Sequence, residues 1–158
     1  MRHYLLDNGA EFKGTDHQTD TYFNVPNGRL KLRQGNIENN LIYYERNDQP
    51  GPKSSHFDLV VIPDAEKLKE VLGKSIGIKV VVEKKREIYY IANVKFHIDE
   101  VPGLGHFVEI EASNKYADLP LEKLQQQTDF YMGELKIAAA DLVSVSYSDM
   151  LIALQNKL

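Results

Sequence analysis

In Arg29–Arg33 (RLKLR) basic and leucine side chains alternate one for one. A period of two belongs to a strand, whose successive side chains leave on opposite faces. It puts Arg29, Lys31 and Arg33 on one face and Leu30 and Leu32 on the other. The pattern returns along the chain. In VVVEKKRE (80–87), Val82, Lys84 and Arg86 share a face, with Glu83, Lys85 and Glu87 opposite. LIYYER (41–46) aligns Tyr44 with Arg46, and FVEIEA (107–112) aligns Glu109 with Glu111 against Val108 and Ile110. A chain with three cation-bearing strands and one carrying a carboxylate pair is built on an antiparallel sheet.

The other segments agree. TDTYFNV (19–25) reads as a strand closed by the turn Pro26-Asn27-Gly28, and Phe57–Ile62 as another. Ile78–Glu87 and Tyr89–Ile98 read as two strands, and DEVPGLG (99–105) as the turn into Phe107–Ala112. Helical spacing is confined to three stretches: Asp64–Leu72 ending at Gly73, Leu121–Met132 ending at Gly133, and a last helix from Ser148. Strands dominate and β-helix-β alternation is missing. The expected fold class is therefore α+β, an antiparallel sheet or barrel with flanking helices. With 158 residues, one domain spanning 1–158 is expected.

Composition excludes several classes of function. There is no Cys, so neither disulfides nor thiolate metal sites are available. No apolar run reaches the roughly 18–20 residues that cross a bilayer and no charged-then-apolar leader opens the sequence, so a cytoplasmic setting is expected. The five His residues lack zinc-ligand spacing. Gly103 and Gly105 precede no helix and read as a hairpin rather than a phosphate loop. The net charge of −4 is unevenly spread: residues 29–95 carry 13 basic and 9 acidic groups, residues 96–158 carry 4 and 10.

The same alternation arises in a sheet with one solvated face, where neighbouring Lys and Glu rows pair for about 0–1 kcal/mol each. If the polar rows instead line a closed interior, the cations repel one another unless an anion lies between them. Clustered Lys and Arg facing two carboxylates suit a polyphosphate with a divalent cation. Tyr22 and Tyr44 are the tyrosines placed to join such a site.

Taken together, QTDTYFNVPNGRLKLR (18–33), LIYYER with GPK (41–53), EKKREIYYI (83–91), FHIDEVPGLGHFVEIEA (96–112) and SYSDML (146–151) resemble the CYTH superfamily of triphosphate tunnel metalloenzymes, nearest its class IV adenylate cyclase-like branch. The resemblance implies an antiparallel tunnel, eight-stranded in the family, whose basic rows bind a triphosphate. It implies Lys31, Arg33, Lys84 and Arg86 as phosphate ligands, with Arg46 and Lys53 beside them. Glu109 and Glu111 follow as ligands of Mg2+ or Mn2+, with Asp99 at a further acidic position. The family's ExExK strand has no counterpart in the sequence: either the chain is truncated upstream of Met1, or the tunnel is expected to lack one strand and to expose two edges that invite a homodimer.

The function implied is metal-dependent binding of a nucleoside or organic triphosphate, or tripolyphosphate, with neither nucleic acid nor membrane as partner. The reaction is either conversion of ATP to cyclic AMP and pyrophosphate or triphosphate hydrolysis, with little turnover expected of a chain lacking ExExK. The alternatives are a degenerate tunnel that binds without turnover, and a barrel for a small acidic ligand without metal.

Overall fold

The computed structural model describes residues 1–45, 50–114 and 118–158. Seven strands form one antiparallel sheet: β1 (Glu11–Phe23), β2 (Arg29–Gln34), β3 (Asn39–Tyr44), β4 (Phe57–Val61), β5 (Ile78–Ile91), β6 (Val94–Val101) and β7 (Gly105–Ala112). Their order is β4-β3-β2-β1-β5-β6-β7, so β4 and β7 pair on one side only among the described residues. The sheet is curled but not closed. Among the described residues four α-helices flank it: α1 (Arg2–Asp7), α2 (Ala65–Ile76), α3 (Leu121–Glu134) and α4 (Tyr147–Gln155). No helix among the described residues is long and apolar enough to cross a membrane.

The two longest strands, β1 and β5, pair from Glu11↔Tyr90 to Phe23↔Ile78 and form the spine. In β5 burial alternates strictly from Val80 to Ile88, so Val80, Val82, Lys84, Arg86 and Ile88 face inward. One apolar cluster, Tyr22, Val80, Val82 and Val101, is closed by Tyr147, Leu151 and Ile152 of α4. The other packs α1 and α3 on the outer face through Leu5, Tyr89, Val94 and Phe96, with Tyr131 edge-on to Phe96 at 4.8 Å. Polar side chains fill the concave space.

Several boundaries differ from the sequence expectation: β6 runs to Val101, into the DEVPGLG segment, α3 passes Gly133 to Glu134, and three more have a plain cause. Strand β5 runs through Ile88 to Ile91 and turns at Ala92-Asn93, where Ala92 adopts φ 50° without a Gly or Pro to mark the turn. Helix α2 passes Gly73 and stops at Gly77, whose φ of 82° ends it; Asp64 caps its start by accepting from the Lys67 amide at 3.2 Å. Strand β1 begins at Glu11, well before the apolar TDTYFNV stretch, because its polar first half pairs with β5.

The β2–β3 connection, residues 35–38, is pinned to β1. The buried Asp16 carboxylate accepts from the Ile37 amide (2.9 Å), the Glu38 amide (3.0 Å) and Gln18 Nε2 (2.8 Å). A Cβ on Gly35 would lie 2.5 Å from Asp16 Oδ1. Gly35→Ala is therefore expected to displace the carboxylate and cost about 1–3 kcal/mol. A lower urea midpoint at unchanged slope would show it.

Candidate functional site

The inward faces of β1, β2 and β5 carry a charge cluster centred on Asp20, which is fully buried. Its carboxylate accepts from Arg33 Nε and Nη2, both at 2.9 Å, and from Lys84 Nζ at 2.8 Å, with Lys31 Nζ 3.4 Å away. Burial opposes its charge, but Lys84, Lys31 and Arg33 hold Asp20 well below the usual carboxylate range. Burial also pushes the Lys84 ammonium down to about 7. Asp20 pulls against that shift, while Arg86, Arg33 and Lys31 add to it. Lys84 is thus the cation in the cluster that titrates near neutrality.

A second cluster lies beside it on β5, β6 and β7. Arg86 donates to Asp99 through Nε (2.7 Å) and Nη2 (2.5 Å), and Nη2 also reaches Glu109 Oε2 at 2.9 Å. The Tyr147 hydroxyl donates to Asp99 Oδ2 at 2.9 Å. His97 Nδ1 lies 2.9 Å from the same Glu109 oxygen. Burial and the repulsion of Arg86 push the imidazole down to about 4. It is therefore neutral and donates to Glu109 through Nδ1–H. Burial works against the Glu109 charge as well, yet Arg86 and His97 keep its carboxyl well below the ordinary value. Glu109 is nonetheless 44% exposed at its side chain, because the space it faces is open.

That space is a groove of about 1130 Å³. Lys31, Arg33, Lys84 and Arg86 reach it from the floor, and Glu109 and Glu111 from β7. Tyr22 and Tyr44 stand at its side with hydroxyls 3.4 Å apart, and Lys31 Nζ lies 5.7 and 5.4 Å from their ring centroids. Lys53 lines the groove and donates to the Ser144 carbonyl at 3.4 Å. Arg46 lies outside the described residues. Arg29 shares parity with Lys31 and Arg33 but is drawn to α4, donating to Ser146 Oγ (2.6 Å) and Asp149 Oδ2 (2.8 Å).

A family model described as CYTH domain matches residues 2–147. The chain belongs to the CYTH domain family. CYTH proteins are in general metal-dependent and bind triphosphates or nucleotides. A Methanocaldococcus jannaschii protein named "putative adenylate cyclase" is 31% identical over 93 residues, covering 58% of this chain and 52% of that protein. The match thus spans about half of that relative's length. A Pyrococcus furiosus structure described as a conserved hypothetical protein superposes with TM-score 0.79 at 25% identity, covering 94% of this chain and 90% of the other. A Vibrio parahaemolyticus structure titled "putative adenylate cyclase" superposes with TM-score 0.72 at 18% identity over 96% and 91%, a likeness of fold alone.

The CYTH assignment implies a divalent cation, and the donor set can be tested for fit. Glu109 and Glu111 are hard oxygen donors two residues apart on the same face of β7, both open to the groove. Magnesium is commonly held by one or two carboxylates, with substrate phosphates and water completing the shell. These two residues fit a cation that arrives with a phosphate. Among the described residues no three His, Asp or Glu side chains group as metal ligands. Asp99, expected at the metal, is instead committed to Arg86 and Tyr147 and is fully buried.

The structure also corrects the electrostatic argument. The cation rows do not wait for an external anion, because Asp20, Asp99, Glu109 and Glu38 already supply counter-charge. The sequence alone assigns no role to Asp20, Glu38, His97, Lys95 or Tyr147. Asp20 alternates with Gln18 and Tyr22 on β1, a signal that could have marked it as sharing their face; the positions of the others depend on which strands become neighbours.

Proposed function

We propose that the groove binds the phosphate chain of a nucleoside or organic triphosphate together with Mg2+ or Mn2+. The observation that carries this reading is the convergence of Lys31 and Arg33 from β2 with Lys84 and Arg86 from β5 on one groove whose edge strand carries Glu109 and Glu111. The groove is large enough for a phosphate chain plus an organic body, since small-molecule sites run to about 300–1,000 Å³. Lys and Arg would neutralise and orient the phosphate oxygens. The metal, held by Glu109 and Glu111, would supply charge stabilisation at the reacting phosphorus. In a cyclase the 3′-hydroxyl attacks the α-phosphate and pyrophosphate leaves; in a phosphohydrolase water attacks the terminal phosphate. Both reactions rest on positioning and electrostatics.

The adenylate cyclase name of the Methanocaldococcus jannaschii relative favours the cyclase branch, in a cytoplasmic setting where ATP is available. Binding without turnover is the second reading, favoured by a metal site with only two carboxylates. The test incubates the chain with ATP and with tripolyphosphate in magnesium and then manganese, following cyclic AMP, orthophosphate and equilibrium binding. Cyclic AMP formation supports the cyclase, orthophosphate the hydrolase, and metal-enhanced binding with neither product the binding module. In each case Glu111→Gln is expected to lower the metal-dependent gain in affinity at least about tenfold while sparing metal-free binding. Affinity indifferent to metal would overturn the metal assignment.

A further inference from the structure

Past Arg33 lies Glu38, at the end of the β2–β3 connection. Its carboxylate crosses the face of β1 and β5 to meet Lys95 of β6. Oε2 also accepts from Arg33 Nη1 at 3.0 Å and Gln18 Nε2 at 3.2 Å. The connection that presents it is held to β1 by the Asp16 carboxylate, which takes the Ile37 and Glu38 amides. Asn36 adds two more ties, accepting from the His17 amide (2.7 Å) and donating to the Thr15 carbonyl (3.2 Å). Glu111 lies opposite Lys95 in the β6–β7 register, adding a second carboxylate at this end. A phosphate chain advancing past Arg33 and Arg86 meets the Glu38 carboxylate, and the Lys95 ammonium beyond it is already paired with that carboxylate.

We propose that Glu38 is a specificity-determining stop that ends the phosphate channel beyond Arg33 and Arg86 and restricts the site to short phosphate chains. The proposal rests on the groove being a phosphate site. Lys95 and Arg33 hold the stop in place, and Asp16 fixes the loop that carries it. Glu38 stays ionised: burial opposes its charge, but Lys95 and Arg33 hold its carboxyl at about 2.

The experiment compares tripolyphosphate with long-chain linear polyphosphate, by calorimetry at fixed salt, on the parent chain, Glu38→Gln, and the double variant Glu38→Gln/Lys95→Met. The double variant removes one charge of each sign, so it opens the end without changing the net charge and leaves no buried Lys95 without its partner. The parent is expected to bind the long chain no more tightly than tripolyphosphate, per chain end. Both variants are expected to gain at least about tenfold for the long chain relative to tripolyphosphate. An unchanged ratio in a double variant with a cooperative melt overturns the stop. A parent chain that fails to bind tripolyphosphate overturns the phosphate reading and the stop with it; tripolyphosphate binding with an unchanged ratio removes only the stop.

Discussion

Asp20→Asn is expected to lower stability by about 3–5 kcal/mol, the cost of taking one partner out of a buried ion cluster. The side chain keeps its shape but loses the charge that holds Arg33, Lys84 and Lys31 together at 2.8–3.4 Å. Arg33 and Lys31 then face each other without their shared counter-ion, and Lys84 loses the pull that holds its proton. A domain of ordinary stability has only about 5–15 kcal/mol to lose, so the variant would melt far below its parent. A polyanion occupying the floor would restore the missing negative charge. Tripolyphosphate is therefore expected to raise the melting temperature of Asp20→Asn more than that of the parent chain. Equal shifts would mean that the anion does not sit beside Asp20.

Lys84→Met is expected to weaken tripolyphosphate binding about ten- to a hundredfold, the value of one or two charge-assisted contacts. Lys84 is the safer target of the two β5 cations. Asp20 keeps Arg33 and Lys31 in its absence, whereas removing Arg86 would leave Asp99 and Glu109 without their cation. The pH dependence follows from the same residue. In the free chain burial brings Lys84 down to about 7, so above that pH it is mostly neutral. A bound phosphate favours the charged form, so binding takes up a proton there and affinity falls as pH rises through about 7. Calorimetry at pH 6 to 9 in buffers of different ionisation enthalpy measures that uptake. The difference between the parent and Lys84→Met isolates the Lys84 proton from those exchanged by the phosphate chain itself.

Much of this was readable in the sequence because strand parity is local. RLKLR and EKKRE fix which side chains share a face, and Lys31, Arg33, Lys84 and Arg86 do open on one groove. Glu109 and Glu111 line the same groove. What parity could not supply was the neighbour relation. Asp20 becomes the counter-ion of three cations only because β1 runs between β2 and β5, a pairing with residues up to 64 positions away. Glu38 sits in the short connection between β2 and β3, and its partner Lys95 is 57 residues distant. Arg29 obeyed the parity rule yet left the row, because the end of β2 lies against α4 and Asp149. Asp99 had the residue type for a metal but is buried against Arg86 and Tyr147.

On the proposed reading the concave face of this CYTH chain is a phosphate floor with a metal-binding edge. A crystal structure of the chain with tripolyphosphate and manganese, with anomalous data to locate the metal, would test it. A phosphate chain is expected within hydrogen-bond distance of Lys31, Arg33, Lys84 and Arg86, stopping short of Glu38, with the anomalous peak beside Glu109 and Glu111. Phosphate bound on the outer face, or a metal away from β7 with the Asp20 and Arg86 ion pairs undisturbed, would contradict it.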